Sequence, residues 1–226
     1  MPRPGDRLRR PGMEQLLKVQ CFTVSQDGFG AGEGQSLERP FGHADPGELM
    51  SWAGATASWP HRADPGGSRG LDDMFTRDMP RGIGAEIMGR NKFGPQRGPW
   101  VDRAWRGWWG DEPPFHTPVF VMTHHERPSF SLSDTTFHFV GGEPAAVLDR
   151  ARDAAQGEDV RLGGGATIIR QFLDADLVDT LHVAVAPIEL GAGTRLWESP
   201  DDLRDRYHVD VVPSSSGVTH HLYWRR

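Results

Sequence analysis

The stretch from Asp159 to Phe172 constrains this chain most: Asp-Val-Arg-Leu, then Gly163, Gly164 and Gly165, then Ala166-Thr167-Ile168-Ile169-Arg170-Gln171-Phe172. It has the grammar of a strand that breaks into a helix through glycine. Three successive residues without Cβ let the backbone turn sharply and approach a ligand closely. The first-turn N–H groups of the helix that follows lack intrahelical acceptors and point at whatever occupies the turn. That arrangement favours an anion, phosphate above all. Short glycine motifs also occur in plain strand-to-helix turns, so these residues alone leave both readings open. The i, i+4 pairs Ile168/Phe172, Ile169/Leu173 and Leu173/Leu177 mark the helix.

At 226 residues the chain is long enough for one substantial core. A single domain over 15–226 is expected, preceded by a disordered basic tail over 1–14. That tail is not followed by the apolar core of a secretory signal, and no apolar run approaches the roughly 20 residues of a membrane span. A soluble, cytoplasmic protein without a membrane partner is therefore expected. The net charge of −6, with no basic patch in the body of the chain, argues against nucleic acid. Cys21 is the only cysteine, so it forms no internal disulfide; inside the run Val19 to Val24 it reads as a buried, inert thiol. His124-His125 and His220-His221 lack i, i+4 spacing, and no Cys-x-x-Cys occurs, so a metal is not expected.

Apolar patterning predicts strands at Lys18 to Val24, Ala85 to Met88, Pro118 to Thr123, Thr135 to Val140 and Thr180 to Pro187, then a hairpin of Tyr207 to Val212 and Val218 to Trp224. Asp45-Pro46-Gly47-Glu48 has the signature of a helix start and predicts a helix from Pro46 to about Ser58. Leu71, Met74 and Phe75 share one face of a second short helix, and Glu143 to Gln156 form a third. Gly94 to Pro118, crowded with Gly, Pro and Trp, reads as a packed loop. The sum is an α/β chain with a mostly parallel sheet, an antiparallel C-terminal edge and helices on both faces. Gly89-Arg90-Asn91, Thr123-His124-His125 and Gly163-Gly164-Gly165 each follow an apolar strand. Loops at the carboxyl ends of neighbouring parallel strands share one crevice, to which Arg90, Lys92, His124, His125 and Arg127 would bring positive or donor groups.

Five segments occur in a telling order: Ser25 to Phe29 (Ser-Gln-Asp-Gly-Phe), Ile87 to Phe93 (Ile-Met-Gly-Arg-Asn-Lys-Phe), Phe120 to Thr123 (Phe-Val-Met-Thr), Gly163 to Leu173, and Val185 to Gly193. Together they resemble the dihydrofolate-reductase-like family, most closely the branch shared with the reductase domain of bacterial riboflavin-biosynthesis enzymes. The resemblance runs from Leu17 to Trp224. It implies an NADPH-dependent reductase built on a central eight-stranded sheet. Gly89, Arg90, Asn91 and Lys92 would sit at the cofactor's phosphates, Thr123 and His124 by the adenosine phosphate, and Gly163, Gly164, Gly165, Ala166, Thr167 and Ile168 at the pyrophosphate and nicotinamide end. The loop opened by Ser25 would cover nicotinamide and substrate, with Phe29, Trp52 and Trp59 as candidates for an apolar substrate pocket. Asp27 and Glu48 are the candidate proton donors, although an Asp-Gly turn and a capping box account for them equally well.

The resemblance implies hydride transfer to a C=N or C=O group of a small heterocyclic substrate, pterin-like or ribosylamino-pyrimidine-like. The alternative is an NADP(H)-binding protein without turnover. A homodimer is also expected, from the family and from Trp105, Trp108 and Trp109.

Overall fold

A computed structural model describes residues 14–60 and 66–226, so the expected tail lies outside the described residues apart from Glu14. In chain order the strands are β1 (Leu17–Ser25), β2 (Phe29–Ala31), β3 (Ile83–Gly89), β4 (Pro118–Met122), β5 (Phe130–Leu132), β6 (Thr135–Val140), β7 (Asp159–Leu162), β8 (Thr180–Ala186), β9 (Thr194–Arg195), β10 (Tyr207–Pro213) and β11 (Thr219–Arg225). The helices are α1 (Pro46–Leu49), α2 (Ser51–Gly54), α3 (Leu71–Asp78), α4 (Arg90–Phe93), α5 (Pro144–Ala155) and α6 (Ala166–Asp174).

Nine strands make one sheet in the order β10-β11-β8-β1-β7-β3-β4-β6-β5, and β2 pairs with β9 separately. The six from β8 to β6 run parallel, while β11 pairs antiparallel with both β8 and β10. The C-terminal hairpin therefore forms the antiparallel edge. The ninth strand, β5, is one more than the expected eight and lies antiparallel to β6. Its turn carries Ser133 at φ 52, and without the usual glycine at such a position the hairpin leaves little trace in the sequence.

Residues alternate between the two faces of the sheet. Phe120 and Met122 join the core beneath α5 and α6, whereas Val119 and Val121 join a second cluster with Phe93, Trp100, Phe137 and Phe139. A bulge in β1 between Val19 and Phe22 shifts this alternation by one residue. Leu17 and Val19 face the α5/α6 core before it and Val24 after it, while Cys21 turns to a third cluster with Trp52 and Ala53.

The expected helix from Pro46 is realised as two single turns, α1 and α2, separated at Met50 (φ −103, ψ 10). In α3 the buried face differs in part from the expected one: Phe75 packs inward, but polar residues rather than Met74 share that face. Asp72, Asp73 and Thr76 point inward and Met74 is 48% exposed. Polar partners decide this phase. Asp73 accepts from Ser58 N (2.8 Å), Thr56 and Thr76 hydroxyls meet at 2.9 Å, and Asp72 Oδ1 lies 2.8 Å from His220 Nε2.

Asp72 ends a buried chain that reaches β1. Cys21 N–H donates to His182 Nδ1 (3.2 Å), and His182 Nε2 lies 2.9 Å from His220 Nδ1. Because a backbone N–H only donates, His182 Nδ1 accepts, so its Nε2–H donates to His220, whose own Nε2–H donates to Asp72. One proton placement satisfies every group with both rings neutral. Phe75 stacks on His182 at 4.0 Å. Burial pushes the Cys21 thiol up to about 12, so it is the inert thiol its sequence setting implies.

Candidate functional site

A cleft of about 1350 Å³ crosses the carboxyl ends of β3, β4, β6 and β7. There the three strand-end loops come together as expected: Gly89, Arg90 and Asn91, then Thr123 and His124, then Gly163, Gly165, Ala166, Thr167 and Ile168 all line it. The turns are tied by backbone bonds, Gly89 N–H to Gly164 O (2.7 Å) and Gly163 N–H to Ile87 O (2.8 Å). A Cβ on Gly89 would stand 2.5 Å from Ile168 Cγ1, so only glycine lets α4 and α6 start this close together.

One arm of the cleft presents hydrogen-bond donors that have no partner among the described residues. Helix α6 begins after Gly165 with no side-chain cap, and nothing lies within 4 Å of where a Gly165 Cβ would be. The open space therefore sits directly before uncommitted first-turn amides. Helix α5, also without a side-chain cap, brings Gly141, Gly142 and Glu143 to the same cleft. Arg90 stacks on the Trp100 ring at 4.0 Å and donates one N–H to Gly98 O (2.5 Å). Its Nε and Nη2 are buried without a partner, and burial pulls the guanidinium below the ordinary arginine range. Buried charged donors left unpaired are costly, and an entering anion would satisfy them.

The other arm has apolar walls and a charged floor. Met50, Trp59, Met79, Trp108, Trp109 and Phe115 line it, together with Arg161 of β7 and Lys92 of α4. Behind the floor Glu86, 1% exposed, accepts from Arg161 Nε (2.9 Å) and Nη2 and from Lys92 Nζ (3.1 Å). Lys92 also donates to Gly163 O (2.8 Å). A Cβ at Gly163 would collide with Glu86 Oε1 and lie 2.6 Å from Lys92 Nζ, so glycine makes room for the cluster. Burial pushes the Glu86 carboxyl up, but the charges of Arg161 and Lys92 outweigh it and hold the group below the usual range. Lys92 is also lowered, by burial first and by the nearby guanidinium, against the upward pull of Glu86.

Several expected site residues lie elsewhere. Ser25 is wholly buried, donating to Asp27 Oδ1 (2.5 Å) and accepting from Phe29 N (3.1 Å). Asp27 does not line the cleft. Its carboxylate accepts from Leu190 N (3.1 Å) and Gly191 N (2.7 Å), stapling two loops together. Burial tends to raise its pKa, yet the bonds from Ser25, Leu190 and Gly191 leave it lowered. Glu48 is exposed in the first turn of α1 and does not itself line the cleft, although Pro46 and Met50 on either side of it do. Trp52 is a core residue, 1% exposed, with its N–H on Thr23 Oγ1 (2.9 Å) and its ring on His220. Phe29 is buried with Arg195 over its ring at 4.4 Å, and of the three pocket aromatics only Trp59 lines the cleft. Lys92 stands with Glu86 and Gly163 on the floor of the apolar arm. Trp105 and Trp108 donate their indole N–H groups to Phe93 O (2.9 Å) and Lys92 O (2.8 Å), so these half-buried rings brace α4. Replacing Asp27 with Ala is expected to cost about 1 kcal/mol in urea unfolding, the worth of the hydrogen bonds its part-buried carboxylate accepts, and to leave NADPH affinity unchanged by calorimetry.

The Glu86–Arg161 pair was missed by the sequence reading, where each charge sits inside a run that reads as an ordinary strand. The two are register partners across β3 and β7, a neighbourhood that no local pattern reveals.

A mostly parallel α/β sheet, with a glycine-lined cleft across its strand ends and a basic, apolar-walled second arm, defines a domain of the dihydrofolate-reductase-like fold. The chain belongs to the RibD C-terminal domain family, whose family model matches residues 19–214. Over 70 residues it is 34% identical to the uncharacterized protein YyaP of Bacillus subtilis (strain 168), a match spanning 30% of this chain and 36% of that one. Among solved structures it resembles a protein from Shewanella sp. PV-4 described provisionally as a riboflavin biosynthesis protein (TM-score 0.55, 21% identity, covering 94% of this chain and 99% of that one). It also resembles dihydrofolate reductase from Enterococcus faecalis complexed with NADP(H) (TM-score 0.50, 14% identity, 94% and 96% covered). No helix among the described residues is long and apolar enough to cross a membrane, and no group of three or more His, Cys, Asp and Glu among them is placed to hold a metal ion.

Proposed function

We propose that this chain is an NADPH-dependent reductase that delivers hydride to a C=N or C=O group of a small heterocyclic substrate. The observation that carries the reading is the anion arm: the unpartnered Arg90 donors and the open, uncapped start of α6 line one cleft. These residues fit a dinucleotide. Arg90, Asn91, Thr123 and His124 would hold its phosphates, and the backbone from Gly165 to Ile168 its pyrophosphate. When bound, the cofactor supplies the hydride. The chain's own work is to orient it, to bring the acceptor against it and to exclude water, for which Trp59, Trp108, Trp109 and Phe115 provide apolar cover.

Binding without turnover remains the second reading, favoured by one observation: neither Asp27 nor Glu48 lines the cleft. Calorimetric titration with NADPH separates binding from its absence, and loss of reduced-nicotinamide absorbance with pterin and pyrimidine acceptors separates turnover from binding. Arg90→Met is expected to weaken NADPH by about tenfold, roughly one charge-assisted hydrogen bond. Unchanged affinity in that variant would remove Arg90 from the cofactor site.

A further inference from the structure

The ionised groups behind the apolar arm do not balance. Glu86 supplies one negative charge, Arg161 and Lys92 two positive ones, and among the described residues the ion pairs of Glu86 are with these two. The surplus faces the cleft, because the Glu86 side chain is 1% exposed and that of Lys92 30%. The Lys92 ammonium has three N–H groups and two acceptors among the described residues, Glu86 and Gly163 O. The acids that line the cleft, Glu143 and Asp174, belong to the start of α5 and the end of α6 rather than to this floor. Beside the surplus charge stands an aromatic wall. Lys92 Nζ and the Arg161 guanidinium each lie 5.9 Å from the Phe115 ring, and Trp109 meets that ring edge-on at 4.7 Å.

A half-buried surplus cation next to flat apolar surface asks for one complementary charge on a flat molecule. We propose that the apolar arm is a binding site for a planar organic anion of single charge, a ring carboxylate or an enolate. Its charged group sits on Lys92 beside Arg161, and its ring lies against Phe115 and Trp109. A ring that carries positive charge is repelled from the same floor, so the site selects against protonated pterin-like bases. This rests on the reductase reading for the anion's role as acceptor, but not for its binding.

The test is calorimetry on the full chain without NADPH, using three probes: orotate, its neutral methyl ester, and inorganic phosphate. Orotate is expected to bind about tenfold more tightly than the ester, the scale of one charge-assisted hydrogen bond, and phosphate to bind on the Arg90 side of the cleft, insensitive to Lys92→Gln. Lys92→Gln neutralises the surplus and should erase the preference for orotate. Glu86→Gln enlarges the surplus and should tighten orotate binding, whereas a merely structural cluster would weaken it in both variants. Equal affinity for orotate and its ester, no saturable heat from orotate, or phosphate binding that Lys92→Gln abolishes together with orotate binding overturns the proposal. A parallel NADPH titration keeps the two ideas apart. NADPH binding without orotate binding defeats this inference alone, and the reverse defeats the reductase reading alone.

Discussion

Replacing Arg161 by Met is expected to lower the free energy of unfolding by about 3 kcal/mol or more, because it strips the buried Glu86 carboxylate of its closest cation. Lys92 remains in contact at 3.1 Å but is itself part-exposed and shared with Gly163 O, so it compensates incompletely. The pair is not required for a stable core in principle, since two apolar side chains of similar volume often replace a buried ion pair without loss. The double variant Glu86→Met/Arg161→Met is therefore expected to recover most of the stability. Urea unfolding of the wild type, the single and the double variant checks this; a single variant as stable as wild type would show that the carboxylate finds other compensation.

Acid is expected to destabilise the protein well before its carboxylates titrate. Burial holds His182 down to about 3, and His220 is lowered as well, again chiefly by burial. A histidine in the unfolded chain titrates near 6.5. Between those values the unfolded chain takes up protons that the folded chain refuses, so stability falls as pH drops. The contribution is fully present above about pH 6.5, where both states are neutral, and declines continuously toward about pH 3. The full excursion amounts to several kcal/mol. Between pH 6.5 and 5, where ordinary carboxylates are still ionised, the slope belongs to histidines. Thermal unfolding across that window should show it, and His182→Gln, which can still accept from Cys21 and donate to His220, should flatten it. An unchanged slope in that variant would assign the acid sensitivity to other groups. The network matters to the cleft because Cys21, where its chain ends on the β1 bulge, is part of the cleft lining.

That the three strand-end loops share one cleft was legible in the sequence. Gly89, Arg90, Thr123 and Gly163 to Ile168 follow apolar strands, and in a parallel sheet the strand ends meet at one edge. The apolar arm was not. Arg161 and Glu86 sit inside runs that read as ordinary strands, and Phe115 lies in a loop without periodicity. In α3 the apolar spacing of Leu71, Met74 and Phe75 matched the packed face only at Phe75 and missed Asp72, because the partner that draws Asp72 inward, His220, is 148 residues away.

Local chemistry in this chain determined its strands, the glycine turn, the buried thiol and the three strand-end loops that line the cleft, since each depends on residues close in sequence. Tertiary structure alone decided which charges are buried together. Glu86, Arg161 and Lys92 become one cluster only when β7 inserts between β1 and β3, and the face that α3 buries is set by a histidine from the last strand. Apolar periodicity records what a segment hides from water. It is silent about which polar groups will find partners there, because those partners come from strands distant in sequence.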